Sequence, residues 1–572
     1  MNNIKKFFKL LRTNGSNGLN GKPVSSLQFY WNMEYEYYNT ILVSFRSINY
    51  RHPESVSMNI SFNTSRLGLK SIDSKHEGVF FEDYLLRMFY PVITMLSKSF
   101  ENENKAEHLI GKVICENFNC NVCRRSGLIF SAQEQQFTLK LLVTFPTGGG
   151  VTVLGNRMHK MISAVLKSVD EKLNDIDLAK MKDNLDCYMN QQIIRSFCAS
   201  NGYVSFVANG SILPRQGDTD KPLECAIPFK SPKNLEIEIE LTNGMILSGM
   251  GLRRGITVIT GAGFSGKTTL LEAIKLGIYN HVLGDGREYV ISDNSATMVN
   301  AEDGRYVGNI DLSPFFLPIP YKNIFRFSTK HASGSVSQAV NIIEALQADC
   351  KLLLIDEDKS ATNFLARDEK MRLIIKDEVI IPLTDRLYEI KEDMGVSIII
   401  VIGGTSEYLK YADTVLFMKD YYASDITSIA KKVVGVQLSS LAPKVFWSKK
   451  RYLKYPEDRD VKFSFYSVNT EKNKKIVFAS YSADITQLST ILEDDQLHTL
   501  AYLLNYIIYR IDDKHPLMDL INECLNDFYV LLQKDYDIDS RYRSWWFSDV
   551  RPIDVFLCVS RMSGFIFENN EI

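Results

Sequence analysis

The sequence predicts an α/β protein in which a central parallel sheet is flanked by an α+β N-terminal domain and a small, mainly helical C-terminal domain. Three observations predict this fold class. Near-continuous apolar stretches, "GITVIT", "KLLLID" and "VSIIIVIG", are typical of parallel strands covered on both faces. Alternating runs such as "FTLKLLVTF" precede them, and amphipathic stretches such as "LEDDQLHTLAYLLNYIIYRI" follow them.

The domain bounds follow from these changes of pattern. A chain of 572 residues has room for about three or four domains. We expect an N-terminal α+β domain over 1–175, the parallel α/β domain over 176–445, a basic and aromatic connector over 446–475, and a C-terminal domain over 476–572.

The composition is that of an ordinary globular protein, with 45% hydrophobic and 23% charged residues. Because 66 basic residues stand against 68 acidic ones, a nucleic-acid partner requires a local basic surface. Nine cysteines without a disulfide framework indicate thiols in a reducing compartment. No stretch reaches the roughly 18 apolar residues of a membrane helix, so we expect a soluble protein with no membrane partner.

The N-terminal stretch "MNNIKKFFKLLRTNGSNGLNGK" is basic, and the first acid is Glu34. Such a segment is compatible with a mitochondrial transit peptide. Because arginine is scarce in it, we interpret it as the start of the first domain. We therefore expect a cytoplasmic protein, with mitochondria as the alternative.

A phosphate-binding loop is the strongest motif. In "VITGAGFSGKTTLLEAI", Gly261 and Gly266-Lys267-Thr268 fit G-x-x-x-x-G-K-[ST] between a predicted strand and a predicted helix. Backbone N–H groups and the helix N-terminus together make an anion cradle. Lys267 is expected to reach the β- and γ-phosphates, and the Thr268 hydroxyl to ligate Mg²⁺. The predicted ATP-binding residues are Gly261, Ala262, Gly263, Phe264, Ser265, Gly266, Lys267, Thr268 and Thr269.

Two carboxylates follow the next apolar strand, "KLLLID". That strand delivers Asp356 to its C-terminal end, the edge where ligands bind in open α/β sheets. We expect Asp356 to hold the Mg²⁺. Glu357 comes directly after it, and a carboxylate there is placed to orient or deprotonate an attacking water. We therefore predict Glu357 and Lys267 as the catalytic residues.

Small residues begin the helix just upstream of that strand, at Ser333-Gly334-Ser335. A helix N-terminus with exposed backbone donors suits a phosphate. A simple helix cap is the alternative, because Ser and Gly both cap helices. The position one helix before the Asp356 strand favours the functional interpretation.

The order of these motifs resembles that of ABC-type ATPases. "ASGSVSQ", with Ser333, Gly334, Ser335 and Gln338, stands at the place of the signature motif, and Ser360-Ala361 stands at that of the D-loop. More narrowly, the chain resembles the predicted ABC-class ATPase family of bacteria and protists, which includes a mitochondrial RNA-editing-complex ATPase of trypanosomes. The matching stretches include "SFVANGSILPRQGDTDKPL", "GAGFSGKTTLLEAIKLGIYNHVLGDGRE", "ASGSVSQAVNIIEAL" and "LLLIDEDKSATNFLARDEKM".

The resemblance covers nearly the whole chain and implies an ABC-type P-loop NTPase core over 176–445. It also implies a homodimer in which two cores pair head to tail. Each signature helix then points at the γ-phosphate bound by the other subunit. For some members the resemblance implies RNA binding along a basic central surface.

Two departures from transporter-type ABC domains stand out. No histidine lies between His331 and His498, so the switch histidine is missing. Gly403-Gly404 occupies that place in "VIGGTSEYL", which makes Gly404 and Thr405 the switch position, with Ser406 as another candidate γ-phosphate contact.

The second departure is that no glutamine lies between Lys267 and Ser337, so the Q-loop metal ligand is also missing. A carboxylate of "NAEDGR", Glu302 or Asp303, is the candidate replacement. We expect slow hydrolysis. Adenine requires an apolar or aromatic seat; Phe229, upstream of the loop, is one candidate, and a place in the core is its alternative role.

A basic and aromatic stretch follows the α/β domain. No acid lies between Asp425 and Glu457, whereas lysines, Arg451 and four aromatic residues do. Phosphate attraction combined with base stacking is a common way to hold single-stranded nucleic acid. A solvated connector is the alternative. The predicted nucleic-acid surface comprises Lys449, Lys450, Arg451 and Lys454.

Three functions remain open on the sequence. The first, which we favour, is a dimeric ATPase coupled to single-stranded RNA. The second is an ATP-gated protein-interaction module with negligible turnover, which the missing histidine and glutamine would suit. The third is a P-loop kinase, in which the Ser333 and Ser360 segments would have no role.

The loop predicts one clear loss of function. Lys267→Ala should abolish nucleotide binding, because the lysine supplies the positive charge that faces the β- and γ-phosphates. Titration with a fluorescent ATP analogue measures this. An affinity equal to that of the wild type would contradict the assignment of the loop.

Overall fold

The computed structural model describes residues 2–569. Excepted are residues 32, 38–39, 49–51, 73–74, 103–109, 218, 243, 376, 438, 440, 446, 448–449, 455–467, 472–473, 479–480, 513, 534–541 and 543. The chain forms two compact units. Unit 1 comprises 1–185 and 527–549, and unit 2 comprises 186–526 and 550–572. The C-terminal residues are thus divided between the units, whereas the sequence predicts one separate C-terminal domain.

Unit 1 is built on an antiparallel sheet with helices on it. Its strands are β1 (Asn2–Asn3), β2 (Glu34–Tyr37), β3 (Ile41–Ser47), β4 (Ser55–Asn63), β5 (Lys112–Ile114), β6 (Asn121–Val122), β7 (Leu128–Ser131), β8 (Gln136–Thr144), β9 (Thr147–Gly148) and β10 (Thr152–Val153). Its helices are α1 (Ile4–Arg12), α2 (Lys75–Asn102) and α3 (Gly155–Asn174). The sheet order is β1-β2-β3-β4-β8-β5, and β7 pairs with β8. Buried residues alternate along β3, as expected of a sheet with one covered face.

Helices α4 (Leu178–Asn201) and α12 (Leu517–Gln533) each contain a boundary between the units. The strands of unit 2 are β11 (Tyr203–Ala208), β12 (Glu236–Glu240), β13 (Ile246–Arg253), β14 (Ile256–Gly261), β15 (Asn280–His281), β16 (Val290–Ser292), β17 (Thr297–Met298), β18 (Val307–Ile310), β19 (Phe327–Thr329), β20 (Leu352–Asp356), β21 (Ser397–Val401), β22 (Thr414–Lys419), β23 (Tyr422–Asp425), β24 (Arg451–Lys454), β25 (Val468–Glu471), β26 (Lys475–Phe478), β27 (Tyr481–Asp484) and β28 (Ile566–Asn569). Its helices are α5 (Lys267–Leu276), α6 (Gly334–Gln347), α7 (Thr362–Leu365), α8 (Glu369–Ile374), α9 (Leu387–Glu392), α10 (Thr427–Val434), α11 (Asp494–Arg510) and α13 (Pro552–Ser560).

The core of unit 2 is a six-stranded sheet of order β17-β20-β21-β14-β22-β23. Every pair is parallel except β22–β23. All residues of β20 and β21 are buried, which is why these strands are apolar throughout. An antiparallel sheet, β12-β13-β11-β16, adds a second layer. The mixed α/β fold class predicted from the sequence is confirmed.

A buried ion network fixes helix α6 within unit 2. The Glu344 carboxylate on α6 receives Arg305 and, over 2.7 Å, Arg451 of β24. Nearby, Arg561 pairs with Glu302 over 2.6 Å. Burial disfavours the charge of Glu344, but Arg305 and Arg451 outweigh it and hold the pKa of Glu344 below its ordinary value. The C-terminal segments are thereby joined to the core of this unit.

Among the described residues, no helix is both long enough and apolar enough to cross a membrane.

The network predicts a large stability effect. Glu344→Gln leaves buried arginines uncompensated and should lower the free energy of unfolding by about 3–5 kcal/mol. The control Glu392→Gln, at an exposed pair with Lys391, should change it by less than about 1 kcal/mol. Urea unfolding followed by circular dichroism measures both. Equal effects would contradict the role given to the network.

Candidate nucleotide site

The phosphate loop joins β14, the strand between β21 and β22, to α5. Gly261 and Gly266 have φ values of 147° and 96°, which are accessible mainly to glycine. A Cβ at Gly261 would lie 2.2 Å from the backbone oxygen of Met418, so the loop also requires glycine there for space. The Lys267 ammonium lies across the loop and donates to the backbone oxygens of Gly261 and Ala262 over 2.8 and 2.9 Å.

The outer part of the loop is open to solvent. Ala262, Gly263 and Thr268 are exposed, and Phe264 is fully exposed with φ of 57°. Thr269 is half-buried, whereas Ser265 is buried. The loop therefore has the strand–loop–helix setting that the sequence predicts.

Asp356 ends β20, two strands away from the loop. It is buried, and its carboxylate accepts the Asp358 N–H over 3.2 Å. Burial raises the pKa of Asp356, and the charges of Asp358 and Glu272 add to that rise. A divalent cation would stabilise the charged form of Asp356, which burial and the neighbouring carboxylates disfavour. Oxygen donors of this kind suit Mg²⁺. Asp356 and the Thr268 hydroxyl are therefore residues that fit the metal.

Glu357 is held by the backbone of the switch position. Its Oε2 atom accepts the N–H groups of Gly403 and Gly404 over 2.5 and 3.1 Å. These glycines follow β21, which lies between β20 and β14. The Thr405 hydroxyl accepts the Glu407 N–H over 3.3 Å. The sequence gives Gly404 and Thr405 as the switch position and Thr405 or Ser406 as γ-phosphate contacts, but nothing in it indicates a hydrogen bond from Gly403 to Glu357.

The signature segment and the D-loop segment are joined by hydrogen bonds. Gln338 is fully buried and donates to the Ser360 hydroxyl over 2.8 Å. It also accepts the Ala361 N–H over 2.8 Å. The Ser335 hydroxyl donates to the Asn363 side chain. Ser333, the N-cap of α6, makes no side-chain cap bond and is exposed.

The segment expected to replace the Q-loop glutamine runs beside the end of β20, where the Ala301 N–H donates to the Lys359 oxygen over 3.0 Å. Glu302 is engaged by Arg561, and its backbone N–H donates to the Ser337 hydroxyl. The Asp303 carboxylate lies 3.2 Å from a Cβ placed at Gly334. Both residues therefore adjoin the signature segment. The charge of Glu302 is compensated by Arg561. Glu302 or Asp303 as the replacement for the Q-loop glutamine stays a prediction.

Phe229 belongs to the core. It is 3% exposed and packs in the cluster that contains Leu271 and Leu416. The interpretation of Phe229 as an adenine seat is therefore wrong, and the alternative that it is a core residue is correct.

The structure contradicts part of the predicted nucleic-acid surface. Arg451 is fully buried against Glu344, so it is not available to a nucleic acid. Lys454 pairs with Glu568 over 2.8 Å, whereas Lys450 is exposed. Lys449 lies outside the described residues. The local sequence pattern could not reveal that Arg451 is buried, because its partner Glu344 lies 107 residues away in the chain.

Fold and site together define a P-loop nucleotide-binding domain with carboxylates at the loop edge of a parallel sheet. The family model for the ABC ATPase P-loop domain matches residues 177–444. The chain belongs to the ABC-class ATPase family, and this P-loop domain is of the ATP-binding type.

Individual relatives are similar to parts of the chain. An uncharacterized protein of Methanocaldococcus jannaschii is 31% identical over 306 residues, which are 48% of this chain and 67% of that protein. The cbiO1 structure from Clostridium perfringens, part of the ABC transporter complex cbiONQ, is 16% identical with a TM-score of 0.26, over 41% of this chain and 90% of that one. An ABC transporter cassette in its ADP conformation is 15% identical with a TM-score of 0.25, over 41% and 94%.

The contact between Glu357 and the switch glycines can be tested at Gly404. Gly404→Pro removes one N–H donor to the carboxylate and should lower kcat for ATP about tenfold or more. Gly404→Ala keeps the N–H, and its Cβ would lie 3.8 Å from Oε1 of Glu357, so it should retain most of the activity. Steady-state phosphate release measures both; equal activities would contradict the role of the N–H.

Proposed function

We propose that the protein hydrolyses ATP, slowly, at the edge formed by the phosphate loop, Asp356 and Glu357. The observation that carries this proposal is the placement of the Glu357 carboxylate by two backbone N–H groups of the neighbouring strand end. A carboxylate fixed in this way is suited to orient a water molecule and accept its proton. Preorganised donors and charges of this kind are the main source of catalysis in phosphoryl transfer.

Each residue has a distinct part in this proposal. The Lys267 ammonium exchanges the Gly261 and Ala262 oxygens for the β- and γ-phosphate oxygens. Asp356 and the Thr268 hydroxyl would hold Mg²⁺, which would supply positive charge to the phosphates. Glu357 accepts the proton of the attacking water as the water oxygen bonds to the γ-phosphorus. The bond from the γ-phosphorus to the β–γ bridging oxygen breaks at the same time.

We further propose that two copies pair head to tail. The signature segment is bound to its own D-loop through Gln338, Ser360 and Ala361, and Ser333 is left exposed. A second copy would bring an exposed Ser333-Gly334-Ser335 end to the nucleotide of the first. The fully exposed Phe264 of the loop would then be covered, as large apolar side chains at an interface core usually are.

Dimerisation is tested with Glu357→Gln. The variant should retain ATP and accumulate as a dimer. It still binds ATP, but it lacks the Glu357 carboxylate that promotes hydrolysis of the bound ATP. Analytical ultracentrifugation with ATP and with ADP measures the association, and Lys267→Ala is the monomeric control. An ATP-bound Glu357→Gln protein that stays monomeric at high concentration would refute head-to-tail pairing.

For the partner of the ATPase we propose single-stranded RNA. Support comes from exposed lysines downstream of the sheet: Lys432, Lys450 and Lys444. The Lys444 side chain is 83% exposed, and it pairs with Asp393 over 3.1 Å. A second candidate, an ATP-gated protein-interaction module, is favoured by one observation. Helix α10 and the residues after it expose Ile429, Val433 and Val436 by 62%, 78% and 55%, which is unusual unless a partner covers them.

RNA coupling is tested by fluorescence anisotropy with a single-stranded oligonucleotide. Affinity should depend on nucleotide state and weaken with salt, because phosphate contacts release counterions. Lys432→Glu combined with Lys444→Glu should reduce it, whereas Lys167→Glu, at an exposed position of unit 1, should not. Flat titrations in all states would exclude RNA and favour a protein partner.

A further inference from the structure

The seat of the nucleobase is left unassigned once Phe229 is found in the core. Tyr421, at the tip of the β22–β23 hairpin, lies against the phosphate loop. Its backbone N–H donates to the oxygen of Ser265 over 3.1 Å. Its ring is so close to Gly266 that a Cβ there would lie 2.8 Å from the Tyr421 Cδ1 atom. The hairpin tip is therefore fixed to the loop at the start of α5.

The conformation of this tip is unusual. Lys419 pairs with Tyr422, which leaves Asp420 and Tyr421 as a two-residue turn with φ of 48° and 66°. Such turns strongly favour Asn and Gly, and an aromatic residue at positive φ is an outlier of the kind that clusters at ligand sites. Tyr421 nevertheless stays 44% exposed, so its strained position does not serve to bury it.

We propose that the Tyr421 ring is the platform on which the base of the bound nucleoside triphosphate stacks, an inference that rests on the proposed binding of ATP. The base is one ribose away from the phosphates, so its seat must adjoin the loop, as Tyr421 does. Aromatic rings hold bases through their π-faces, and ligand sites combine such apolar surfaces with a few polar groups. Tyr421 follows the phosphate loop in sequence. Its hairpin begins with β22, which pairs with β14 on the side opposite β21.

The test compares ATP with inorganic tripolyphosphate by calorimetry on the full-length protein. Tyr421→Ala should weaken ATP binding about tenfold and leave tripolyphosphate binding within about twofold, because only ATP carries a base. Tyr421→Phe keeps the ring and should bind ATP like the wild type. Tyr422→Ala removes an exposed neighbour, 52% accessible, and should also have no effect.

The possible results distinguish failure of the Tyr421 platform from failure of the proposed function. Unchanged ATP affinity in Tyr421→Ala would overturn the platform, as would an equal loss of tripolyphosphate affinity, which would make the ring a support of the loop. A wild-type protein that binds neither ligand would overturn the proposed function, and the platform with it.

A second, independent observation concerns Tyr408, which follows the switch glycines. It is completely buried, and among the described residues its hydroxyl has no hydrogen-bond partner. A buried hydroxyl without a partner is costly and calls for an explanation. Tyr408 follows Gly403 and Gly404, whose N–H groups bind Glu357. Burial, and then the charge of Glu357, raise the pKa of Tyr408.

We infer that the Tyr408 hydroxyl is a positioning donor for the Glu357 carboxylate in the hydrolysing state, an inference that rests on the proposed hydrolysis. The described bonds from Gly403 and Gly404 engage only Oε2 of Glu357. A donor to Oε1 would fix the carboxylate plane.

Tyr411 supplies a matched control, because it too is buried with a hydroxyl that has no partner among the described residues. Its charged neighbours are Asp385, Arg372 and Glu407. Tyr408→Phe should lower kcat at least about fivefold with KM unchanged and thermal stability not reduced. Tyr411→Phe should leave kcat unchanged. An unaltered kcat in Tyr408→Phe, equal losses in both variants, or no hydrolysis by the wild type would overturn the inference.

Discussion

Parallel pairing of β20, β21 and β14 is the constraint on which the site depends. Parallel strands end at a common edge of the sheet, so Asp356, the switch glycines and Gly261 meet there although they are far apart in the chain. The register of β20 and β21 places Asp356 opposite Val401, two residues before Gly403. The bonds from Gly403 and Gly404 to Glu357 are a direct result of that register.

The signature helix α6 is held by a different kind of interaction. Its buried face carries Gln338 toward the D-loop and Glu344 toward arginines of later segments. A buried ion network adds little net stability, but it penalises any arrangement that separates its members. The outer end of α6 at Ser333 is therefore presented on a fixed support, which suits a group that acts on a second copy's nucleotide.

The sequence predicted the residues whose chemistry lies in a short continuous motif. The sequence placed the loop from Gly261 to Thr268, and Asp356 with Glu357, at the ends of buried strands, as the structure does, because an apolar run precedes each of them. Arg451 and Phe229 were misassigned, because their partners come from distant segments that local pattern does not reveal. Tyr421 was not singled out, since its turn lacks the glycine or asparagine that marks such hairpins.

In the proposed head-to-tail dimer, each ATP lies between the loop of one copy and the signature segment of the other. Mixing two inactive variants tests this shared site. Lys267→Ala lacks a working loop but keeps its signature, whereas Ser333→Arg lacks a working signature but keeps its loop. The mixture should regain ATP hydrolysis, because a mixed dimer contains one complete site. A mixture no more active than either variant alone would contradict it.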